Sequence, residues 1–283
     1  MAACLLPSPT PEQLPVVVTS TALITSTETI SSTDSAPAPD HKIDQYAVVG
    51  VTETEFLNLY QESSFDSPII GQLPSTGTSI KPEGQIFNAD NTNWLFVEYN
   101  NQKGWVDQDF LAEQMGTIPE ELISLGQFVA KSLKENHYNQ LIGLIHPEIC
   151  LRFSPYSFLH QDNLFFCPGD LNELITSKMI YTWGHFDGTG HPIELTFQDY
   201  HQKFIYDADY FKPLKIGYNV EVSYGNSINN IQEIYPDGMM IEYHFPGFDP
   251  QYGGLDWRSL RLVFVQENGQ WYLTAIIHCE WTI

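Results

Sequence analysis

Positive charge is what this sequence has least of. The 12 Lys and Arg stand against 35 Asp and Glu, giving a net charge of −23 and a pI of about 4.4. The only arginines are Arg152, Arg258 and Arg261. Such an acid excess repels phosphates and anionic headgroups, and no basic stripe overrides it, so nucleic acid is excluded as a partner. Long apolar runs are missing too. The stretch from Leu14 to Ile24 is broken by Thr and Ser and is far short of the ~20 residues that span a bilayer, leaving a lipid anchor as the route to a membrane. Cysteine is sparse, and none of Cys4, Cys150, Cys167 and Cys279 has Cys-x-x-Cys spacing, which argues against a zinc or redox motif. With Cys4 set aside, at most one internal disulfide can form. Cys150 and Cys279 sit in strand-like runs and read as small buried hydrophobes, with a Cys150–Cys167 bridge as the alternative. There is no Gly-x-Ser-x-Gly, His-Glu-x-x-His or P-loop. No metal or cofactor is expected.

What is present suffices for a packed core: 42% hydrophobic and 13% aromatic residues. Three segments differ in kind. Residues 1–45 hold 6 Ser, 7 Thr and 6 Pro and no aromatic, too little apolar area to offset ordering entropy, so a disordered tether is expected. Residues 46–114 read as short strands punctuated by Gly, Pro, Asn and Asp, the pattern of a small all-β barrel. Residues 115–283 begin with helices and end in long alternating strands, an α+β layout with a curved antiparallel sheet over helices. Thr117-Ile118-Pro119-Glu120 reads as a capping box, followed by an apolar stripe of Leu122, Leu125, Val129 and Leu133. Tyr138 to Ile145 reads as a second helix, and a third is capped at Thr196. Alternation predicts strands at Val220 to Val222, Met239 to Phe245, Ser259 to Gln266 and Trp271 to Trp281.

Several motifs carry resemblances. Met1-Ala2-Ala3-Cys4 ahead of a Ser/Thr/Pro tether resembles the end of a bacterial lipoprotein signal, in which the Cys is lipidated. The basic and apolar regions that precede such a Cys are not in the sequence; either the chain begins downstream of the true start or the match is chance. Leu57-Asn58-Leu59-Tyr60, Ser67 to Leu73, Trp94 to Tyr99, Lys103-Gly104-Trp105-Val106 and Phe110-Leu111 resemble the bacterial type of Src-homology-3 domain, with Tyr60 where the family's opening motif has Arg. That resemblance implies a domain that binds cell-wall peptides or glycans, with Tyr60, Trp94, Tyr99 and Trp105 as a stacking surface. The plainer alternative is that these aromatics fill the barrel and the domain is a spacer. His146-Pro147, Arg152 to Tyr156, Trp183-Gly184, Glu242 to Asp249, Tyr252 to Phe264 and His278 to Ile283 are similar to the C-terminal domain of a group of uncharacterised bacterial lipoproteins. The element order looks like the nuclear-transport-factor-2-like cone fold. No activity comes with either likeness.

A site must therefore be argued from residues. Asn268-Gly269 favours a two-residue hairpin turn. Counting outward pairs Gln266 with Trp271, Phe264 with Leu273, Leu262 with Ala275, Leu260 with Ile277, Arg258 with Cys279 and Asp256 with Trp281, all on one face. Asp256 and Arg258 thus pair with each other or grip a polar ligand at the mouth of a pocket, with Arg152 and Tyr156 as further candidates. The opposite face would carry His278 and Glu280. Glu242 and His244 project together from the neighbouring strand, so the four form an alternative polar cluster. The expected function is that of a non-enzymatic, extracytoplasmic cell-envelope protein, lipid-anchored or secreted. The alternative is a hydrolase or isomerase with its active site in the cone pocket.

Overall fold

The computed structural model describes residues 45–84, 86–225 and 228–282. Cys4 and, but for Gln45, the expected tether lie outside the described residues. The described residues form one unit. It is β-rich with few helices. The first strands are β1 (Tyr46–Val48), β2 (Phe56–Tyr60), β3 (Ile69–Pro74), β4 (Lys81–Pro82), β5 (Phe87–Ala89), β6 (Thr92–Tyr99), β7 (Gln102–Asp107) and β8 (Leu111–Gly116). There follow α1 (Glu120–Lys134), β9 (Leu151–Ser154), β10 (Leu164–Phe166), β11 (Ile180–His185), β12 (Pro192–Thr196), α2 (Phe197–Phe204), β13 (Lys215–Tyr218), α3 (Ile231–Ile234), β14 (Met239–Phe245), β15 (Arg258–Glu267) and β16 (Gln270–Glu280).

Two larger sheets organise these strands. One holds β3-β2-β7-β6-β4, with β5 against β6; the other has eight strands in the order β1-β8-β13-β14-β15-β16-β9-β10. The junction between them is the β1–β8 ladder. Side chains alternate along a strand, so Tyr46, Val48 and Leu111 enter the core of the smaller sheet while Ala47 and Ala112 enter the main core. β8 continues into the large sheet by parallel pairing with β13, and the in-register pair Glu113 and Lys215 is bridged at 2.8 Å. The two cores therefore share a ladder rather than a linker.

One face of the eight-stranded sheet is covered by α1, α2 and an aromatic cluster. Leu122, Val129 and Leu133 of the expected stripe are buried. The Trp183 and Tyr200 rings stack at 3.7 Å; Phe153 meets both edge-on, and Phe166 and Phe197 lie tilted against Trp183. Each such burial contributes roughly 1.5–3 kcal/mol. The other face is covered by residues 219–225 and by α3. Val220 to Val222 is not a strand, contrary to the alternation: Asn219 takes a left-handed φ of 56° and turns the chain back over the sheet. Gly217 makes room for this return, since a Cβ there would collide with the Val220 carbonyl oxygen.

Two helix expectations also change. α1 starts at Pro119, whose carbonyl accepts from the amides of Leu122 and Ile123, and no side chain caps it, so Thr117 is not the cap. Tyr138–Leu144 is a 3-10 helix. Thr196 does cap α2, its Oγ1 accepting from the Asp199 amide at 3.2 Å. Cys150 and Cys167 are bridged rather than lodged as separate hydrophobes, tying the two ends of the β9–β10 hairpin. Cys279 is free and buried.

Candidate functional site

The hairpin count fails at one residue. Phe264 pairs with Leu273 as expected, but Val263 pairs with Ala275, leaving Thr274 as a bulge whose Oγ1 donates to the Val263 carbonyl at 3.1 Å. Beyond it every partner moves by one: Leu262 faces Ile276, Leu260 faces His278 and Arg258 faces Glu280. Arg258 therefore does not face Cys279, and His278 and Glu280 share its face. Glu242 and His244 pair with Arg261 and Ser259 on the other side. The expected cluster of His244, His278, Glu242 and Glu280 is split between the two faces of the sheet.

Each half finds its own partners. On the face covered by the Asn219 segment, the Glu242 carboxylate is fully buried and accepts from the amides of Val222 (3.2 Å) and Ser223 (3.0 Å), Ser259 Oγ (2.8 Å) and Arg261 Nε (3.2 Å). Burial pushes its carboxyl up, but Arg261 and these donors hold it below the ordinary value. Arg261, 2% exposed, also donates to Glu221 and Ser223 at 3.0 Å each. Ser259 spends its single hydroxyl hydrogen on Glu242, so in the 2.8 Å contact between His244 Nδ1 and Ser259 Oγ the imidazole is the donor. Burial lowers His244 to about 4.

On the other face, Arg258 does not pair with the Asp256 carboxylate. Asp256 lies in the turn before the strand, where its Oδ2 accepts from the amides of Phe248 (3.1 Å) and Asp249 (2.8 Å) and clamps its own loop. The partner of Arg258 is Asp207, at 2.9 Å, with Glu280 at 3.6 Å. Asp207 also accepts from His278 Nε2 (3.1 Å) and Tyr210 Oη (2.7 Å). Burial works against its charge, but His278, Tyr210 and Arg258 together hold its carboxyl below the usual value. His278 Nδ1 lies 3.3 Å from the Pro155 carbonyl, which anchors the segment after β9.

That segment builds one wall of a groove. Ser154 Oγ donates to the Tyr156 carbonyl at 2.7 Å and bends the chain outward through Phe158 to His160. The β11–β12 turn supplies the facing wall, closed by hydrogen bonds from the Phe186 amide to His191 and from the Gly190 amide to Phe186. The Asp187 amide donates to Tyr156 Oη at 3.3 Å and joins the two walls. The groove measures about 460 Å³, and Tyr156, Phe158, His160, His185, Asp187 and Ile228 line it. A cavity of about 120 Å³ continues beneath it to Asp162, Asn163 and Trp183.

Of the pocket candidates only Tyr156 reaches the groove. Arg152 shares the face of Ala275, its guanidinium 4.5 Å from the Phe165 ring and 5.7 Å from that of Tyr235. His160 lies 25 residues from His185 in sequence, and the segment after β9 and the β11–β12 turn must converge to bring it to His185 and Asp187. In the smaller sheet, Trp94 is fully buried beneath Tyr60 and Phe65, and Tyr99 packs against the core. Trp105 stays half-buried beside Phe96 and Phe87, at 5.2 and 6.2 Å. Among the described residues no group of three or more His, Cys, Asp or Glu could hold a metal ion. No helix among them is long and apolar enough to cross a membrane. No family model, curated protein or solved structure matches the chain.

Proposed function

We propose that this is a non-enzymatic cell-envelope protein, tethered through a lipidated Cys4. In this reading the first unit is a bacterial Src-homology-3-like barrel that binds cell-wall peptide or glycan, and the second is a cone-fold domain that binds a ligand. The observation that carries it is the aromatic outer face of the smaller sheet. Phe65 and Phe87 are more than half exposed; Phe65 lies over the buried Trp94, and Phe87 stands beside the half-buried Trp105, itself against Phe96, an exposed apolar patch on a strongly acidic chain. The Cys150–Cys167 bridge supports an oxidising, extracytoplasmic setting.

Sedimentation of the full chain with purified peptidoglycan tests the binding role. Retention is expected, and the Phe87→Ala, Trp105→Ala pair should reduce it severalfold. Equal retention of wild type and variant removes that face from the function and leaves the spacer role. Mass spectrometry of the natural protein tests the anchor: an unmodified Cys4, or an intact Met1, eliminates it.

A further inference from the structure

The rings of His137, His146, His201, His244 and His278 are each engaged by a hydrogen bond. Those of His160 and His185 are not, among the described residues, and both open onto the 460 Å³ groove. The Asp187 carboxylate beside them is likewise without a hydrogen bond or ion pair among the described residues, only its amide being used. Tyr156 Oη accepts that amide and keeps its own hydrogen for another partner. The His191 ring is likewise without a hydrogen bond among the described residues but is not part of this lining; at the groove two such imidazoles and a carboxylate line one surface.

The lining decides the ligand class. No Lys or Arg lines the groove, and the Arg258 guanidinium is committed to Asp207 and Glu280. Lys203 sits over the Phe186 ring at 4.5 Å rather than in the lining, and with −23 on the chain an anion is disfavoured. A cation would find one carboxylate set against two imidazoles. A polyhydroxylated ring fits both parts of the surface. Its hydroxyls donate to Asp187, exchange donor and acceptor roles with the imidazoles, and accept from Tyr156. Its C–H faces lie against Phe158, Phe186 and Ile228. The volume falls in the ordinary range of small-ligand sites, about 300–1,000 Å³.

We propose that the groove between the Tyr156–His160 segment and the β11–β12 turn binds a neutral saccharide through Tyr156, His160, His185 and Asp187. The inference rests on the reading of the second unit as a ligand-binding domain and names its ligand class. It is tested by amide chemical-shift titration of the full chain with a chito-oligosaccharide and a manno-oligosaccharide, and in parallel with inorganic phosphate and a short cationic peptide. Saturable shifts at 156–160 and 185–190 are expected with a sugar at millimolar affinity. His185→Ala and Asp187→Asn should each weaken binding by about fivefold, the worth of one hydrogen bond. Both side chains are exposed, so these variants should fold, and unchanged thermal unfolding verifies it. Groove shifts with phosphate or peptide but no sugar overturn the saccharide and leave the ligand-domain reading standing. No groove shift with any probe overturns both. Sugar shifts confined to Phe87 and Trp105, indifferent to the groove variants, overturn the inference in favour of the smaller sheet.

Discussion

At Glu242 a carboxylate remains charged under complete burial because Arg261, Ser259 and two amides of the returning chain converge on it. Removing one partner of such a buried pair leaves the other uncompensated. Glu242→Gln is therefore expected to cost about 3–5 kcal/mol in denaturant unfolding, and Glu242→Leu with Arg261→Met less than the single change. His244 and His201 act at the same scale. Burial lowers each to about 4 from 6.5, so below 6.5 the unfolded chain binds protons that the folded chain refuses. The stability they contribute is whole above pH 6.5 and is lost as pH falls toward 4. His201→Gln and His244→Gln should each flatten the slope of unfolding free energy against pH in that window. An unchanged slope would mean that both rings are already accessible to protons.

The β15–β16 hairpin shows how one residue governs an element. The Thr274 bulge places His278 and Glu280 on the face of Arg258 and Asp207. Thr274→Val keeps the bulge and loses one hydrogen bond, costing about 1 kcal/mol. Deleting Thr274 removes only the extra residue: Phe264–Leu273 and Val263–Ala275 become consecutive pairs and Leu260 still faces His278, so His278 is expected to keep its face and the near-ultraviolet circular dichroism its native form. Gly217→Ala tests the Asn219 segment: its Cβ meets the Val220 backbone, and the expected result is a loss of about 1–3 kcal/mol. Hydrophobic patterning along the chain was enough to make the α1 stripe, the Asn268-Gly269 turn and β14 legible. It misread Val220 to Val222 and the face of His278, because a bulge and a left-handed Asn reverse the alternation without altering hydrophobicity.

Over the whole molecule, the shared β1–β8 ladder couples the smaller sheet to the larger one. Gln127 of α1 adds to this by donating to the Val48 and Ser75 carbonyls across the junction. Melting either sheet exposes residues of the other's core, so one cooperative calorimetric transition is expected for 42–283. Two resolved transitions would show that the ladder does not transmit stability. The Cys150–Cys167 bridge closes a loop 17 residues apart in sequence, worth about 3 kcal/mol by loop entropy. Replacing both cysteines with serine should lower the midpoint of that same transition without splitting it.

By itself the sequence determined the strand-rich character, the acid excess and the prominence of three arginines in an acidic chain, since composition and period are local properties. It also made Tyr156 a candidate. Only the tertiary structure decided the partners. Asp207 rather than Asp256 meets Arg258, Arg261 is sealed against Glu242, and Arg152 lies between two rings. The groove residues His160, His185 and Asp187 share no motif, and their meeting depends on a bend after β9 and a turn after β11. Charge and polarity are written residue by residue, but which charges neutralise one another and which are left to face a ligand is set by how distant segments pack.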